Sequence, residues 1–253
     1  MRVTVLGTGT SVGVPIVGCG CAVCTSPDPR NNRLRCSLWI VENDHHFLVD
    51  CSVDFRQQAL RHRIPRVDSL LLTHSHADHI NGMDDLRPYN FILKQKIEVY
   101  AAPDVMEVVR NNYYYAFEPP QTGGGVPQFV LHTLDGGALE IAGVRITPIP
   151  IFHGKLPILA FRFNDFSYVT DVSDIPEASM KLLDGTRVLI ISALRYKPHP
   201  THLSLDQACD YARRIGARQT WFTHVAHDFD HDTVNASLPP ELQLAHDGLT
   251  FEL

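Results

Sequence analysis

The segment Thr73-His74-Ser75-His76-Ala77-Asp78-His79 concentrates three imidazoles and a carboxylate within six positions. The run Ser69-Leu70-Leu71-Leu72 before it reads as a buried strand. In an extended chain, side chains at i and i+2 point to one side, so His74 and His76 can share one metal ion. A turn into a helix sends Asp78 and His79 elsewhere, where they can hold a second. Neutral imidazole and carboxylate are usual ligands for divalent ions such as zinc or manganese. The competing reading is a surface histidine cluster. With 14 histidines in 253 residues, chance seldom places four such ligands together at a strand end.

The pattern His-x-His-x-Asp-His resembles the metallo-β-lactamase superfamily. That resemblance implies three further ligands, each just past a β-type run. His153 follows the run over 146–152, Asp171 the run over 166–170, and His224 the run over 219–223. It further implies that His74, His76 and His153 hold one ion, that Asp78, His79 and His224 hold the other, and that Asp171 bridges them. Two ions about 3.5–4 Å apart can clamp the entering and leaving oxygens of a displacement and acidify a water. By analogy with the superfamily, an Asp at the bridging position favours its phosphodiesterase and thioesterase branches over lactam hydrolysis.

Cys19, Cys21 and Cys24 form Cys-x-Cys-x-x-Cys in a Gly-containing loop. Three thiols lack one ligand for a tetrahedral structural zinc, and His227 can supply it. A free thiol cluster and a redox loop are the alternatives. Cys36 and Cys51 read as core thiols. His202 lies in Pro200-Thr201-His202-Leu203-Ser204, ahead of a helix. The phosphodiesterase branches carry a His here that meets the phosphate or protonates the leaving oxygen, a role worth about 10²–10⁴-fold. Otherwise His202 caps the helix or lies on the surface. The Gly-rich start, the three thiols, His202 and Thr223-His224-Val225-Ala226-His227 together resemble the cyclic phosphodiesterases of phosphonate breakdown. These open 5-phosphoribosyl 1,2-cyclic phosphate with a Cys3His zinc beside the dinuclear centre.

Asp50, after a strand, reads either as a carboxylate that orients a ligand His or as a turn residue. Tyr113, Tyr114 and Tyr115 open an insert over 112–128, rich in Pro and Gly. They either line the mouth of the site or pack the loop. His45, His46, His62, His132, His199, His231 and His246 read as surface or satisfied polar groups. Asp84, Asp85 and Arg87 read as ion-pairing residues, and Asp247-Gly248 as a turn.

The positioning elements follow from periodicity. Strands are expected over 2–6, 37–41, 46–50, 67–72, 97–101, 138–141, 144–150, 160–163, 167–170, 188–192 and 219–222, and one resumes at Phe129. Helices are expected over 54–63, 103–111, 176–183 and 204–215, the last capped by Ser204. Periodicity gives an α/β or α+β chain. The resemblance implies a four-layer αβ/βα sandwich, with 1–253 as a single metallo-hydrolase domain. A net charge of −6 disfavours nucleic acid as partner. No signal-peptide core or apolar stretch of ~20 residues is present, so the expected compartment is the cytoplasm and no membrane partner is expected. The expected cofactors are two divalent ions, Mn or Zn, plus one structural Zn. The leading function is hydrolysis of a small cyclic phosphodiester, with a homodimer left open. The alternatives are a tRNA 3′-end nuclease, a thioester hydrolase and a non-catalytic coenzyme-biosynthesis relative.

Overall fold

Strands that are apolar on both faces need cover on both sides, and four layers supply it. The structure is a computed structural model that describes residues 1–118 and 125–253. One sheet contains β1 (Arg2–Gly7), β2 (Ser37–Glu42), β3 (His45–Val49), β4 (Ser69–Leu71), β5 (Ile97–Ala101) and β6 (Phe129–Thr133). The other contains β7 (Leu139–Ile141), β8 (Val144–His153), β9 (Leu156–Phe163), β10 (Phe166–Val169), β11 (Val188–Ser192), β12 (Gln219–Thr223) and β13 (Leu242–Leu244). β14 (Thr250–Glu252) returns to the first sheet beside β1. The orders are β14-β1-β2-β3-β4-β5-β6 and β13-β12-β11-β10-β9-β8-β7. Each sheet is antiparallel on one side, through β14 to β3 and through β7 to β10, and parallel on the other.

The two sheets face each other. Val3, Ile40, Phe47 and Leu71 pack against Phe161, Phe163, Phe166 and Ile190, all buried. Successive residues alternate between layers, as the strand period demands. Leu71 faces the sheet interface while Leu70 and Leu72 face helices. α1 (Phe55–His62), α2 (Ala77–Ile80), α3 (Arg87–Leu93) and α4 (Pro103–Asn112) accompany the first sheet. α5 (Glu177–Leu182), α6 (Leu205–Ile215) and α7 (His231–Ser237) accompany the second. Ile191 and Phe222 of that sheet pack with Leu205, Ala208 and Ala212 of α6. Fully burying a large apolar side chain contributes about 1.5–3 kcal/mol, so these clusters dominate folding.

The four-layer architecture agrees with the expectation. The elements missed were α3, α7, β13 and β14. β13 and β14 have three residues each, too short for alternation to register. α7 did carry a signal, since the Asp230 side chain accepts the Thr233 N–H as an N-cap. α3 hides its pattern because Phe91 and Ile92 are exposed. Of the 112–128 insert, residues 119–124 lie outside the described residues. Asn112 ends α4, and Tyr114–Ala116 form a short 3-10 turn.

Two polar residues do more than their types suggested. Arg33 is 2% exposed, and its Nη1 donates to Thr8 Oγ1 at 2.8 Å and to the Ala245 carbonyl at 2.6 Å. Asp247 sits at the expected turn, where Gly248 has φ +91°. Its buried carboxylate accepts the Leu34 N–H at 2.7 Å and the Thr8 hydroxyl at 2.8 Å. His231 is buried as well, with Nδ1 3.2 Å from Arg33 Nη2. This network ties the loop before β2 to the C-terminal segment. Asp247→Ala strands a buried amide and a buried hydroxyl, each worth about 1–3 kcal/mol, and is expected to lower the urea midpoint accordingly. A wild-type midpoint would show that the network is not a fastening.

Candidate metal centre

Parallel strands end together, and side chains just beyond those ends converge. Ser192 of β11 pairs with Thr223 of β12, and Val169 of β10 with Ile191, so Asp171 and His224 leave the sheet at one edge. His153 ends β8 at the same edge. From the facing sheet, β4 leads into His74, and the Leu159 N–H donates to the Thr73 carbonyl at 3.0 Å. That bond joins the two sheets beside the site. Three residues just past strands take left-handed backbone: Asp50 at φ 59°, Asp171 at φ 55° and His224 at φ 54°. This region is sparsely used by side chains other than Gly and Asn or Asp, and it clusters at functional sites.

His74 stands between the two halves of the motif, its ring centroid 4.6 Å from that of His76 and 4.1 Å from that of His79. His76 is extended and caps α2, which carries Asp78 and His79. The rings of His74, His76 and His153 form a triangle with centroids 4.6, 5.1 and 5.7 Å apart. His76 is exposed at its rim. Ligand atoms of Asp78, His79, Asp171 and His224 lie within 4.8 Å of one another. So do those of His153, Asp171 and His202. Asp171 is the residue common to both groups. Its Oδ2 stands 3.3 Å from His79 Nε2 and 3.2 Å from His224 Nδ1, and its Oδ1 faces His202 Nδ1 at 4.0 Å.

Hydrogen bonds set which nitrogens are free. His79 Nδ1 donates to Asp50 Oδ2 at 2.8 Å, leaving Nε2 toward Asp78 and Asp171. Asp50 also accepts the Thr73 N–H and hydroxyl, both at 2.9 Å. Of its two readings, orientation of a ligand-type His is the one its contacts express. His153 Nδ1 donates to the Thr201 carbonyl at 2.8 Å, which frees Nε2. Nε2 of His74 and of His79 are buried without a hydrogen-bond partner among the described residues. An orphaned buried acceptor costs about 1–3 kcal/mol, and a divalent ion is the partner these donors fit.

Charge follows the same plan. Burial lowers His74, His76 and His224, leaving neutral imidazoles with lone pairs. Burial opposes charge on His79, but Asp50 and Asp171 outweigh it and raise the imidazole. Burial also opposes ionisation of Asp171, yet His224, His79, His74 and His202 hold its carboxyl well below the usual range.

Ser204 caps α6 with Gln207 in a reciprocal capping box, so His202 has no capping role. Its ring stacks on His224 at 4.9 Å and lies 4.5 Å from His153. The thiols gather as the spacing suggested. Cys19, Cys21 and Cys24 Sγ lie 3.3, 3.5 and 3.4 Å from His227 Nδ1. Cys36, Cys51 and Cys209 are buried and free. Tyr113 and Tyr115 pack the insert, donating to the Ile80 carbonyl and to Asp84, while Tyr114 is exposed. The sequence reading missed the threonines. Thr73, Thr170 and Thr223 directly precede His74, Asp171 and His224, and all are buried. Thr170 Oγ1 donates to Asp171 Oδ2 at 2.7 Å. The recurring Thr-ligand pair was visible in the chain.

A family model described as the beta-lactamase superfamily domain matches residues 45–225. Fold and family match together are those of a metal-dependent hydrolase. A solved structure described as a new diphosphatase from the PhnP family is 42% identical with a TM-score of 0.93, and the match covers 100% of this chain and 97% of that one. The chain belongs to the beta-lactamase superfamily and, within it, to the PhnP family. The octanoyltransferase of Porphyromonas gingivalis is 37% identical over 98% of this chain but 51% of that protein, so the chain spans about half its length. Ribonuclease Z of Mycobacterium sp. (strain KMS) is 26% identical, covering 88% of this chain and 84% of that protein.

Asp50→Asn keeps the side-chain size and tolerates the left-handed backbone while removing the charge that orients His79. Affinity for an active-site ion is expected to fall about 10–100-fold by chelator competition. Unchanged affinity would separate Asp50 from the metal centre.

Proposed function

We propose that the protein hydrolyses a small phosphate diester or phosphoric anhydride. The observation that carries this reading is Asp171, shared between two ligand groups with an imidazole that belongs to no cap on its open side. A cyclic ribose phosphate and a diphosphate esterified on the attacked phosphorus have one feature in common: a phosphorus with two bridging oxygens and a single charge. The diphosphatase relative supports phosphorus as the reacting centre. 5-Phosphoribosyl 1,2-cyclic phosphate remains the leading individual substrate. The Porphyromonas octanoyltransferase favours a second reading, thioester hydrolysis, although that protein is about twice as long. A tRNA substrate ranks lower, because the chain carries a net charge of −6.

In this reading His74, His76 and His153 would hold one ion and Asp78, His79 and His224 the other, with Asp171 placed to serve both. Manganese or zinc suits these donors. Such ions supply charge neutralisation for phosphoryl oxygens and a water acidified toward neutral pH. His202 contacts the phosphate and gives its proton to the departing oxygen. Burial and His224 push His202 down to about 3 in the free chain, so it waits as a neutral base. Phosphate charge acts in the opposite sense, so His202 would take up a proton from solvent as the substrate binds and pass it to the departing oxygen. A structural zinc belongs to Cys19, Cys21, Cys24 and His227. Zinc–sulfur and zinc–nitrogen bonds of ~2.3 and ~2.0 Å at a tetrahedral angle separate donors by about 3.5 Å, and the observed separations of 3.3–3.5 Å match. A cytoplasmic setting fits the six free thiols.

The metal-loaded protein is expected to cleave cyclic ribose phosphates and diphosphates and to spare precursor tRNA and acyl thioesters. Faster thioester cleavage would reverse the ranking. His202→Ala should retain both active-site ions and lose about 10²-fold in kcat on an alkyl diester. A nitrophenyl diester should suffer less, since its leaving oxygen needs no proton. Equal losses on both would remove the acid role. Cys21→Ser should release one zinc and lower Tm by about 5 °C or more. Unchanged zinc content would leave the cluster as a plain thiol loop.

A further inference from the structure

The segment over 195–203 is a closed loop. Its ends meet where the Leu194 N–H donates to the Leu203 carbonyl and the Leu205 N–H to the Arg195 carbonyl. Such compact loops are held by their own side chains. Arg195 braces the first half, donating from Nε to the Lys197 carbonyl and from Nη2 to the Pro198 carbonyl, both at 3.1 Å. The tip, Pro198-His199-Pro200, is short of backbone donors because neither proline has an N–H. The second half is the part that matters, since it carries the Thr201 carbonyl that accepts from His153 and then His202 itself.

One side chain fastens that half. His199 Nδ1 accepts from the Thr201 N–H at 3.3 Å and lies 3.1 Å from its hydroxyl. Among the described residues Thr201's amide and hydroxyl make no other hydrogen bond. An acceptor at position i taking the N–H of i+2 is the geometry of an Asx turn, made here by an imidazole. Across the loop Thr201 packs on Gly154, where an added Cβ would stand 2.8 Å from Thr201 Cγ2. Thr201 is therefore held from two sides, and its carbonyl aims at His153. His199 itself is half-buried, with its ring centroid 5.3 Å from that of His202.

We infer that His199 is a positioning residue. Through Nδ1 it fixes Thr201, and Thr201 in turn orients His153 and delivers His202. The inference rests on reading His153 as a ligand and His202 as the acid. An oriented partner one bond removed from a ligand is worth about 10–100-fold in affinity or rate, and His199 acts one bond further out. His199→Leu should therefore lose roughly tenfold in kcat and in affinity for an active-site ion. Its Tm should stay near that of wild type.

Isosteres separate positioning from direct contact. Asn places its carbonyl oxygen where Nδ1 was and is a natural Asx-turn former. Gln reaches toward the Nε2 position instead. The test uses the metal-loaded full chain and its Leu, Asn and Gln variants at position 199. Readouts are chelator competition for the active-site ions and kcat and KM on a cyclic ribose phosphate, whose alkoxide leaving group needs the proton. Recovery of both ion affinity and kcat by His199→Asn, with none by His199→Gln, is the expected result. Recovery by Gln alone would make Nε2 a substrate contact and overturn the inference. So would a His199→Leu variant that matches wild type or changes KM alone. Should wild type leave the diester intact, the phosphodiester reading fails while the ion-affinity arm still judges His199.

Discussion

One carboxylate, 2% exposed, must remain ionised between four imidazoles. Everything near Asp171 answers that constraint. Burying a lone carboxylate is costly unless it is paired and hydrogen-bonded. Thr170 supplies the hydrogen bond, and the raised imidazole of His79 supplies the pairing. These partners come from both sheets, because no single strand end can surround one carboxylate. The facing sheets, the aligned ends of β10, β11 and β12, and the link between Leu159 and Thr73 are the geometry that a shared anion requires.

The chemistry was legible where residue types are scarce and placement is local. His74, His76, Asp78 and His79 lie in one short segment. His153, Asp171 and His224 each stand just past a β-type run, and the superfamily resemblance is what nominated them. The three clustered thiols, like the first four ligands, lie in one short segment. His202 was narrowed only by the structure, which gives the capping position to Ser204. Asp50 was undecided between turn and orientation until its hydrogen bonds to Thr73 and His79 appeared.

What sequence hid were contacts with no residue signature. The carbonyl that orients His153 belongs to Thr201, and a backbone oxygen looks alike at every position. His199 read as a surface or satisfied polar group, and its particular partner, an amide two residues away, left no mark in the sequence. Leu34 and Asp247 meet across 213 positions, beyond any periodicity. His231 looked polar and is buried beside Arg33. Tyr113 and Tyr115 could have faced a substrate, and their hydroxyls turn to Ile80 and Asp84 instead.

The left-handed backbone at Asp50, Asp171 and His224 biases how such a chain drifts. Each position asks a side-chain-bearing residue to adopt a conformation that glycine takes freely. At Asp171 and His224 a change to Asn is tolerated by the left-handed backbone while it removes a ligand-type group, whereas at Asp50 any change disturbs the buried bonds to Thr73 and His79. Loss of chemistry at Asp171 and His224 is therefore cheaper for the fold than a β-branched replacement there. Lineages released from selection for turnover would keep the sandwich and shed its corners first. Inactive descendants of this architecture should be sturdy proteins with small or amide residues where the strands end.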